Sequence, residues 1–371
     1  MRIGIMLRAF EERGGVGVYT RNITRELLKR APHHDFFLYF GREQDLGAYS
    51  EFPNATERFV PLGNKVIWDQ VRMPQWFRRD RLDAIFHPKF TVPLLCGRKS
   101  VMVLHGAGWF IPETRRFWSR TTRLYARLMM PVYCWRAGVV LSVSEITRQE
   151  FCRRLGVPAS KIRTVYFAPG EQFAKAEDKE RTAQVLERFA VEPGFILTLT
   201  GGDRADRKNF GTILDAFRLV HEQQPCKLVV AGRGCEDFRQ RYKIPDSGYG
   251  ADIVFTGWVD QQDLPALYRS ASVFLYPSNM EAFPIPITEA LASGSPIVTS
   301  NAYGLKELAG DAALLVDPSS PAEVADAVER ILQDEKLRSD LRQRATRRSE
   351  AFNWEVCCEK TLQALEGLAA N

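Results

Sequence analysis

Long apolar runs are missing from this sequence. No uninterrupted apolar stretch reaches the roughly 18 residues needed to cross a bilayer, although 45% of the 371 residues are hydrophobic. The opening MRIGIMLRAFEER carries Arg2 and Arg8, which is not typical of a secretory signal peptide. We therefore expect a soluble, globular protein that stays in the cytoplasm.

Cysteine patterns that would indicate disulfides or zinc are missing as well. The seven cysteines form no CxxC pair and have no histidine at zinc-site spacing. Reduced, mostly buried thiols are therefore expected. Gly14, Gly15 and Gly17 do not have the GxGxxG spacing of a dinucleotide fingerprint. We expect neither a metal ion nor a cofactor.

Positive charge is concentrated in the first half of the chain. Residues 1–170 contain 28 Lys and Arg against 14 Asp and Glu, whereas residues 171–371 contain 23 against 31. The asymmetry predicts an anionic partner, such as a phosphate-bearing substrate or a membrane surface, and a solvated basic surface without a partner explains it equally well. Nucleic acid is disfavoured, because the basic residues are scattered without a recognisable reader motif.

Short apolar runs alternate with amphipathic stretches in both halves. They are IGIML, FFLYF, AIFH, VMVLH, VVLSV and TVYF, then FILTL, KLVVAG, DIVFTG, VFLYP, SPIVTS and AALLV. Continuous apolar strands between helices indicate parallel sheets covered on both faces. The sequence predicts an α/β protein of two Rossmann-like, doubly wound domains, 1–170 and 171–353, facing a central cleft. An amphipathic helix, about 354–371, is expected to pack back on the first domain.

Two glutamates flank the proline-rich turn of NMEAFPIPITEALASGSPIVT. Because proline cannot lie inside a helix, we expect a helix to start just after Pro286 and to stop at Gly294. Glu281 then lies on the entering loop and Glu289 in the first turns, so that both can face one ligand at the helix N-terminus. The alternative for Glu289 is an acid that only stabilises the helix dipole.

A second candidate element is the turn after FILTL. Arg207 and Lys208 precede a helix expected to begin near Asn209 or Phe210, where free N–H groups and the helix dipole favour an anion. Two cations at this point suit a diphosphate, although a solvated pair before a helix cap explains the motif alone equally well. The two glutamates favour the diphosphate site over the solvated pair, because carboxylates accept hydrogen bonds from sugar hydroxyls. A nucleotide sugar fits both elements.

These motifs resemble glycosyltransferase family 4, retaining enzymes of the GT-B fold. In the second half the resemblance rests on the RKN turn, on the E-x7-E spacing and on the run from FTGWVDQQDLPALYRSASVFLYPSNM to LKELAGDAALLVDP. The first half resembles the acceptor domain of that family in five segments: GGVGVYTRNI, WDQVRMP, FHPKFTVPL, VLHGAGWFIPE and LSVSEITRQEF. The resemblance covers essentially the whole chain and points to a polysaccharide or lipopolysaccharide mannosyltransferase-like branch.

The resemblance implies a role for each matched residue. Arg207 and Lys208 would bind the donor diphosphate, Glu289 the ribose and Glu281 the transferred sugar. His105 would reach the donor sugar near the reacting carbon, although a lone histidine at a strand end is more often structural; His87 has a weaker claim. Further donor-binding residues are implied in the loop after the first strand, in the turn after DIVFTG and around Glu281: Gly15, Gly17, Trp258, Val259, Ala282, Phe283, Pro284 and Ile285. A plain turn before a helix is the alternative for the glycines.

Three departures from the family pattern concern the donor sugar and the acceptor. Pro284 replaces a glycine and removes a backbone donor. The His-Asp pair is His105-Gly106 here, and Gly202 stands where some members have an arginine, which leaves Arg207 and Arg204 to compensate.

The implied reaction is retaining transfer of a hexose, mannose first, from a nucleotide diphosphate sugar to a glycan or lipid-diphosphate-linked acceptor in cell-surface polysaccharide synthesis. GDP-mannose is the first expectation for the donor and UDP-sugars the next. The chain lacks the D-x-D triad of the other large glycosyltransferase fold, so the reaction is expected to need no divalent metal. A nucleotide-sugar isomerase or hydrolase, or a non-catalytic nucleotide-sugar-binding protein, remains the alternative.

The segment TRRFWSRTTRLYARLMMPVYCWRAG, residues 114–138, predicts a helix with two stripes. One stripe holds Arg116, Arg120, Arg123 and Arg127, and the other holds Phe117, Trp118, Leu124, Leu128 and Met129. Such a helix either lies on an anionic membrane, at the inner face of the plasma membrane, or packs its apolar stripe in the core. Core packing is the preferred interpretation, with Pro131 limiting the length of the helix.

Overall fold

The computed structural model describes residues 1–12, 14–201 and 205–369. The chain forms two compact units, Met1–Phe167 with Asn353–Asn371, and Ala168–Phe352. Among the sequence predictions, Gly202 and Arg204 lie outside the described residues, and so does the side chain of Arg116. Within the described ranges, no helix is both long and apolar enough to span a bilayer.

The first unit is built on a seven-stranded parallel sheet. Its strands follow the order β3-β2-β1-β4-β5-β6-β7, and they are β1 (Arg2–Met6), β2 (Asp35–Phe40), β3 (Ala55–Phe59), β4 (Ala84–His87), β5 (Ser100–Leu104), β6 (Val139–Ser142) and β7 (Ile162–Thr164). The order grows outward from β1 in both directions, which places the switch point of the sheet between β1 and β4. Loops that follow these strands meet at one edge of the sheet.

Within the part of the first unit that the structure describes, five helices connect these strands. They are α1 (Gly15–Arg30), α2 (Lys65–Ile67), α3 (Met73–Arg79), α4 (Arg120–Arg136) and α5 (Glu145–Leu155), with a π-helical turn at Trp68–Arg72. Serine side chains cap α4 and α5, because Ser119 and Ser144 accept hydrogen bonds from the N–H groups of Thr122 and Thr147. Gly156 ends α5 in the left-handed conformation.

The orientation of α4 contradicts the preferred sequence interpretation. Its buried residues are Ala126, Met130, Tyr133 and Cys134, whereas Leu124 and Leu128 face solvent. The helix carries apolar residues on two faces, and the face with Ala126, Met130, Tyr133 and Cys134 is the buried one. Pro131 lies inside the helix without ending it.

The second unit contains a six-stranded parallel sheet in the order β10-β9-β8-β11-β12-β13. Its strands are β8 (Ile196–Leu199), β9 (Leu228–Ala231), β10 (Ile253–Gly257), β11 (Val273–Tyr276), β12 (Ile297–Ser300) and β13 (Ala313–Val316). The sheet again grows outward from its first strand, β8. Both units are therefore Rossmann-like and doubly wound, which confirms the predicted fold class.

Nine helices of the second unit lie between residues 171 and 349. They are α6 (Glu171–Ala174), α7 (Lys179–Arg188), α8 (Phe210–Gln223), α9 (Phe238–Arg241), α10 (Leu264–Ser270), α11 (Ile285–Ala292), α12 (Tyr303–Ala309), α13 (Pro321–Gln333) and α14 (Glu335–Ser349), all within the described residues. Phe217 of α8 and Ile331 of α13 belong to the same buried cluster as Leu228 of β9. Burial of these apolar faces holds the helices on the sheet.

The last helix, α15 (Trp354–Ala369), belongs to the first unit. The Trp354 ring lies 5.9 Å from Phe167 and 6.2 Å from Tyr19, measured between ring centroids. Glu355 accepts a hydrogen bond from Arg30 of α1 at 2.7 Å. The chain thus leaves the first unit after β7 and returns to it with α15.

Two strand predictions were wrong. The run TVYF was expected to be a strand, but the last strand of the first unit is Ile162–Thr164. Strand β3 was missed, because its sequence ATERF is half polar and every residue in it is only partly buried. Among the described strands it pairs with β2 alone, so its edge position permits polar side chains that a central strand would exclude.

Candidate active site

The loop from β11 to α11 presents Glu281. Helix α11 begins at Ile285, with Pro284 as its N-cap and Pro286 in its first turn, so the prediction of a start just after Pro286 was slightly wrong. A proline at this position loses no helical hydrogen bond, because the first N–H groups of a helix have no partner within it. Helix α11 ends at Ala292, and Gly294 follows in the left-handed conformation with φ of 66°.

The backbone at Glu281 is held against helix α12. The N–H of Gly304 donates to the Glu281 carbonyl at 2.9 Å. A Cβ on Gly304 would lie 2.2 Å from the Ala282 carbonyl oxygen, a distance that no side chain tolerates. Glycine at position 304 is therefore what allows the Glu281 loop to lie this close to α12.

The turn from β8 to α8 presents Arg207 and Lys208. Asn209 caps α8 in the left-handed conformation with φ of 62°. Its amide donates to the carbonyls of Pro277 at 3.1 Å and Pro318 at 2.6 Å. The Arg207 carbonyl accepts from the Asn279 N–H at 3.1 Å. The turn is thus fastened to the loop that follows β11, from which Glu281 comes.

These two elements bring three charged side chains together. Lys208 Nζ lies 2.6 Å from one oxygen of Glu281, and Arg207 Nη1 lies 3.0 Å from the other. The Lys208 ammonium also lies 4.3 Å from the centroid of the Tyr276 ring, and the Tyr276 hydroxyl donates to Glu281 at 3.4 Å. One carboxylate therefore orients two cations at the N-terminal end of α8, an arrangement that suits a diphosphate.

Glu289 is buried in α11 beside Tyr268. The Tyr268 hydroxyl donates to the Glu289 carboxylate at 3.0 Å. Burial raises the pKa of Glu289 to about 7, against the opposing effects of the Tyr268 hydrogen bond and the positive charge of Lys208. The positive charge of Lys208 acts on Glu289, which lies in the helix that follows the Glu281 loop. A carboxyl with this pKa changes charge near neutral pH.

Trp258 and Val259 follow β10, at the same edge of the sheet. Val259 is buried, whereas Trp258 is exposed and its ring lies 5.4 Å from the Arg233 guanidinium. Phe283 packs edge-on against Phe352 at 6.1 Å. Pro284 and Ile285 form the start of α11. Apart from Glu289, which lies inside α11, these implied donor residues of the second half lie at loops or helix starts within one unit.

His105 follows β5 in the first unit. Its Nε2 lies 2.6 Å from the Pro88 carbonyl, and because a carbonyl only accepts, Nε2 carries the proton. Burial lowers the pKa of His105 to about 4, so the ring is neutral at pH 7 and Nδ1 is an acceptor. His87 is buried in β4 near Ser100, and burial lowers its pKa to about 3, which indicates a structural role.

Gly15 and Gly17 were expected in a loop, and this was wrong. Both lie in the first turn of α1. A Cβ on Gly17 would lie 1.6 Å from the Glu12 carbonyl oxygen. The chain after β1 folds back onto the start of α1, so Gly17 makes room for the protein's own backbone.

A pocket of about 220 Å³ lies beside this turn and was not predicted. Its charged lining comes from the loops after β1, β2 and β4 and from α2: Arg8, Glu11, Glu12, Arg42, Asp45, Lys65 and Lys89. Glu12 and Lys89 form an ion pair, and both influence the pKa of His105. These residues are far apart in sequence, so that only the strand order brings them together. Mixed charges of this kind can hydrogen-bond a polyol.

The sequence analysis also missed Tyr268 and Tyr276. Both lie in apolar contexts, LPALYRS and VFLYP, that indicate core positions, and both rings are indeed buried. Their hydroxyls nevertheless orient Glu289 and Glu281. Among the described residues, one group could hold a metal by geometry alone, His33, His34 and Glu366, and it lies on the first unit near the chain start.

Comparisons with known proteins define the class of protein. Solved structures that cover nearly the whole chain include HepE of Anabaena, solved with UDP and glucose (TM-score 0.76, 17% identity, 99% of each chain), and WaaG, a glycosyltransferase of lipopolysaccharide biosynthesis (TM-score 0.73, 14% identity, 98% of this chain and 100% of WaaG). The two-domain architecture is that of GT-B glycosyltransferases.

Sequence comparison then gives the family. Residues 187–348 match the model of glycosyl transferases group 1, and residues 13–167 match that of glycosyltransferase family 4. The O-antigen chain mannosyltransferase B of Escherichia coli is 30% identical over 79% of this chain and 77% of its own length, and the alpha-D-kanosaminyltransferase of Streptomyces kanamyceticus is 25% identical over 71% and 68%. The chain belongs to glycosyltransferase family 4, as the sequence motifs predicted. An isomerase, a hydrolase or a non-catalytic binding protein is not favoured.

Proposed function

We propose that this glycosyltransferase transfers mannose, with retention, from GDP-mannose to a glycan or lipid-diphosphate-linked acceptor in cell-surface polysaccharide synthesis. UDP-sugars are the next candidate donors. The mannosyltransferase relative supports the choice of sugar. The single observation that carries the proposal is the contact of Arg207 and Lys208 with Glu281, on the loop that leads into α11 and buried Glu289.

The donor would lie along the loops of the second unit. Arg207 and Lys208 would bind the diphosphate and neutralise the charge that develops as the glycosidic bond breaks. Glu281, already placed between these cations, would accept hydrogen bonds from hydroxyls of the transferred sugar. Glu289 would bind the ribose hydroxyls, and Trp258 and Val259 the base.

The reaction would proceed on one face of the sugar. The bond from C1 to the leaving phosphate oxygen breaks, and the acceptor oxygen forms the new bond to C1 from the same side. The acceptor hydroxyl proton passes to the departing phosphate oxygen. Neutral His105, with Nδ1 as an acceptor, would take a hydrogen bond from a donor-sugar hydroxyl and would not act as a general acid.

One arginine and one lysine, Arg207 and Lys208, supply the positive charge at the diphosphate in this scheme. We therefore propose a reaction that needs neither a divalent metal nor a cofactor. We also propose that the enzyme works at the inner face of an anionic membrane, where a lipid-linked acceptor is found. The net charge of +14 on residues 1–170 supports this location.

The donor is tested with a panel of nucleotide sugars, each incubated with and without lipid-diphosphate acceptors and with and without EDTA. We expect GDP release from GDP-mannose, increased by acceptor and unchanged by EDTA. Release of UDP alone would show that the donor is a UDP-sugar and not GDP-mannose. Absence of nucleoside diphosphate release from every donor would contradict the proposal as a whole.

The site is tested with Lys208→Ala and Glu281→Ala. Each should lower kcat by roughly 100- to 1,000-fold, because preorganised charge at a transition state is worth that much. Exposed residues of the same unit give matched controls, Lys336→Ala on α14 and Glu187→Ala on α7. Circular dichroism checks that each variant is folded. Turnover at the wild-type rate in a folded variant would remove the role assigned to that residue.

A further inference from the structure

Two neighbouring histidines lie in the turn between α1 and β2. Ala31 is the C-cap of α1, and its carbonyl accepts a hydrogen bond from the His34 N–H at 3.1 Å. The rings of His33 and His34 lie 4.1 Å apart, measured between centroids. His34 is buried and His33 is exposed. The turn therefore holds one fixed imidazole beside another that solvent reaches.

Helix α15 brings a carboxylate to these imidazoles. An oxygen of Glu366 lies 3.0 Å from Nε2 of His34, although the two residues are 332 positions apart. Nδ1, at the other edge of the His34 ring, lies 3.4 Å from the Met1 amino nitrogen, so Nε2 is the nitrogen that faces the carboxylate. One nitrogen of His33, one of His34 and one oxygen of Glu366 all lie within 4.8 Å of one another. Three ligand atoms thus converge on one point.

The ligand set matches the chemistry of zinc. Zn²⁺ binds imidazole nitrogen and carboxylate oxygen at about 2.0–2.2 Å, which sets the ligand atoms of a tetrahedral site about 3.4 Å apart. His34 and Glu366 are already near that spacing, and the exposed side chains of His33 and Glu366 reach it by changes of rotamer. Mg²⁺ and Ca²⁺ fit this set poorly, because both prefer sites made of oxygen.

The position of this group in the sheet argues against a part in glycosyl transfer. His33 and His34 precede β2, whereas His105 follows β5 of the same parallel sheet. Loops before and after parallel strands lie at opposite edges of a sheet, and ligands of such folds bind at the edge where the strands end. A metal ion at this group would therefore act on the structure of the first unit.

We propose that His33, His34 and Glu366 form a zinc site that fastens the last turns of α15 to the first unit. The inference goes beyond the proposed function and depends on neither donor nor acceptor. The spacing of these residues in the sequence matches no zinc motif, and only the return of α15 to the first unit brings them together. This is why the sequence indicated no metal ion.

The two ends of α15 differ in how they are held without a metal. Its start is fixed by Trp354, which stacks on Phe167. Near its end, the carboxylate of Glu366 is half-exposed beside His34, and a contact of that kind contributes little on its own because solvent screens it. The three ligands meet only in the folded chain, so zinc binding stabilises the folded end of α15.

The test is isothermal titration calorimetry with ZnCl₂ on the full chain, prepared without a polyhistidine tag, stripped with EDTA and dialysed. We expect one zinc ion per chain, bound with micromolar or tighter affinity, and no binding of MgCl₂. His33→Gln and Glu366→Gln each remove one ligand at an exposed position and should weaken zinc binding by at least about tenfold. Circular dichroism checks that both variants are folded.

The matched control is His221→Gln in the second unit. His221 lies 2.8 Å from Asp252, much as His34 lies 3.0 Å from Glu366, but the described part of the chain places no third metal ligand beside it. This variant should bind zinc like the wild type. The proposal would be overturned by a wild type that binds no zinc, by ligand variants that bind as the wild type does, or by loss of binding in His221→Gln.

Hydrogen exchange measured by mass spectrometry tests whether the ion holds α15. Saturating zinc should slow amide exchange in the last turns of α15 by at least about tenfold, because opening of the helix end then requires release of the ion. Exchange in α13 of the second unit should stay the same, and zinc should have no effect on α15 in Glu366→Gln. Zinc binding without slower exchange in α15 would indicate an adventitious ion only and would contradict the proposal.

Discussion

Glu289 is the residue whose chemistry depends most on its surroundings. Burial raises its pKa to about 7 from an ordinary value of 4.5. Between those values the folded protein binds more protons at this site than the unfolded chain does. The contribution of Glu289 to the free energy of unfolding is therefore greatest near or below pH 4.5, and it falls as the pH rises through 7.

The same pKa predicts a pH dependence of donor binding. If the ionised carboxylate binds ribose hydroxyls, the donor dissociation constant should fall roughly tenfold from pH 6 to pH 8, as the ionised fraction increases. Isothermal titration calorimetry across this range measures it, and the diphosphate diester of a nucleotide sugar does not itself titrate there. Glu289→Gln should bind more weakly and with no pH dependence. A wild-type affinity that is constant from pH 6 to pH 8 would contradict the role of Glu289.

Single residues show where the sequence was informative. Lys208 and Glu281 were expected to face one ligand and are found in contact, because the strand order of a doubly wound sheet brings their loops to one edge. Tyr268 and Tyr276 were missed, since an aromatic residue in an apolar run looks the same whether or not its hydroxyl orients a carboxylate. Gly17 was misplaced because the sequence does not distinguish a glycine that makes room for a bound ligand from one that makes room for nearby backbone.

The turn before α8 is the element that positions the two cations. Asn209 adopts φ of 62° and donates two hydrogen bonds to carbonyls beyond β11 and β13. Asn209→Gly keeps the left-handed conformation and loses both hydrogen bonds, so it should lower the free energy of unfolding by about 1–2 kcal/mol. Asn209→Ala should cost about 1 kcal/mol more, because alanine is strained in that conformation.

Urea denaturation measures both variants, and kcat should fall in both because the turn no longer holds Arg207 and Lys208 beside Glu281. Thr212→Ala is a useful comparison, since Thr212 donates to the Asn209 side chain at 3.0 Å without contacting the carbonyls. Equal stability of the glycine and alanine variants would show that the left-handed conformation is not what selects asparagine here.

Helix α4 shows why element orientation could not be predicted. A 3.6-residue repeat identifies a helix and its stripes, but α4 buries Ala126, Met130, Tyr133 and Cys134 and leaves Leu124 and Leu128 in solvent. Hydrophobicity alone assigned the larger side chains to the core. Tyr133, whose hydroxyl lies 2.8 Å from that of Tyr125, is instead one of the large residues on the buried side, with Met130.

The path of the chain through both units makes α15 a structural part of the first. Cys357 and Leu365 of this helix are buried, and Trp354 stacks on Phe167. Deleting residues 353–371 removes these contacts and exposes the apolar face of α1 beneath them. The deletion should therefore destabilise the first unit by several kcal/mol, on the order of the burial of a few large apolar side chains.

Two buried cysteines allow each unit to be followed separately. Cys134 lies in the first unit and Cys235 in the second, and both are fully buried. In the deletion variant, thiol labelling measured by mass spectrometry should accelerate at Cys134 by at least about tenfold, because local unfolding exposes it more often. Labelling at Cys235 should stay near the wild-type rate. Equal acceleration at both thiols would show instead that the two units unfold as one, and that α15 stabilises more of the protein than the unit it belongs to.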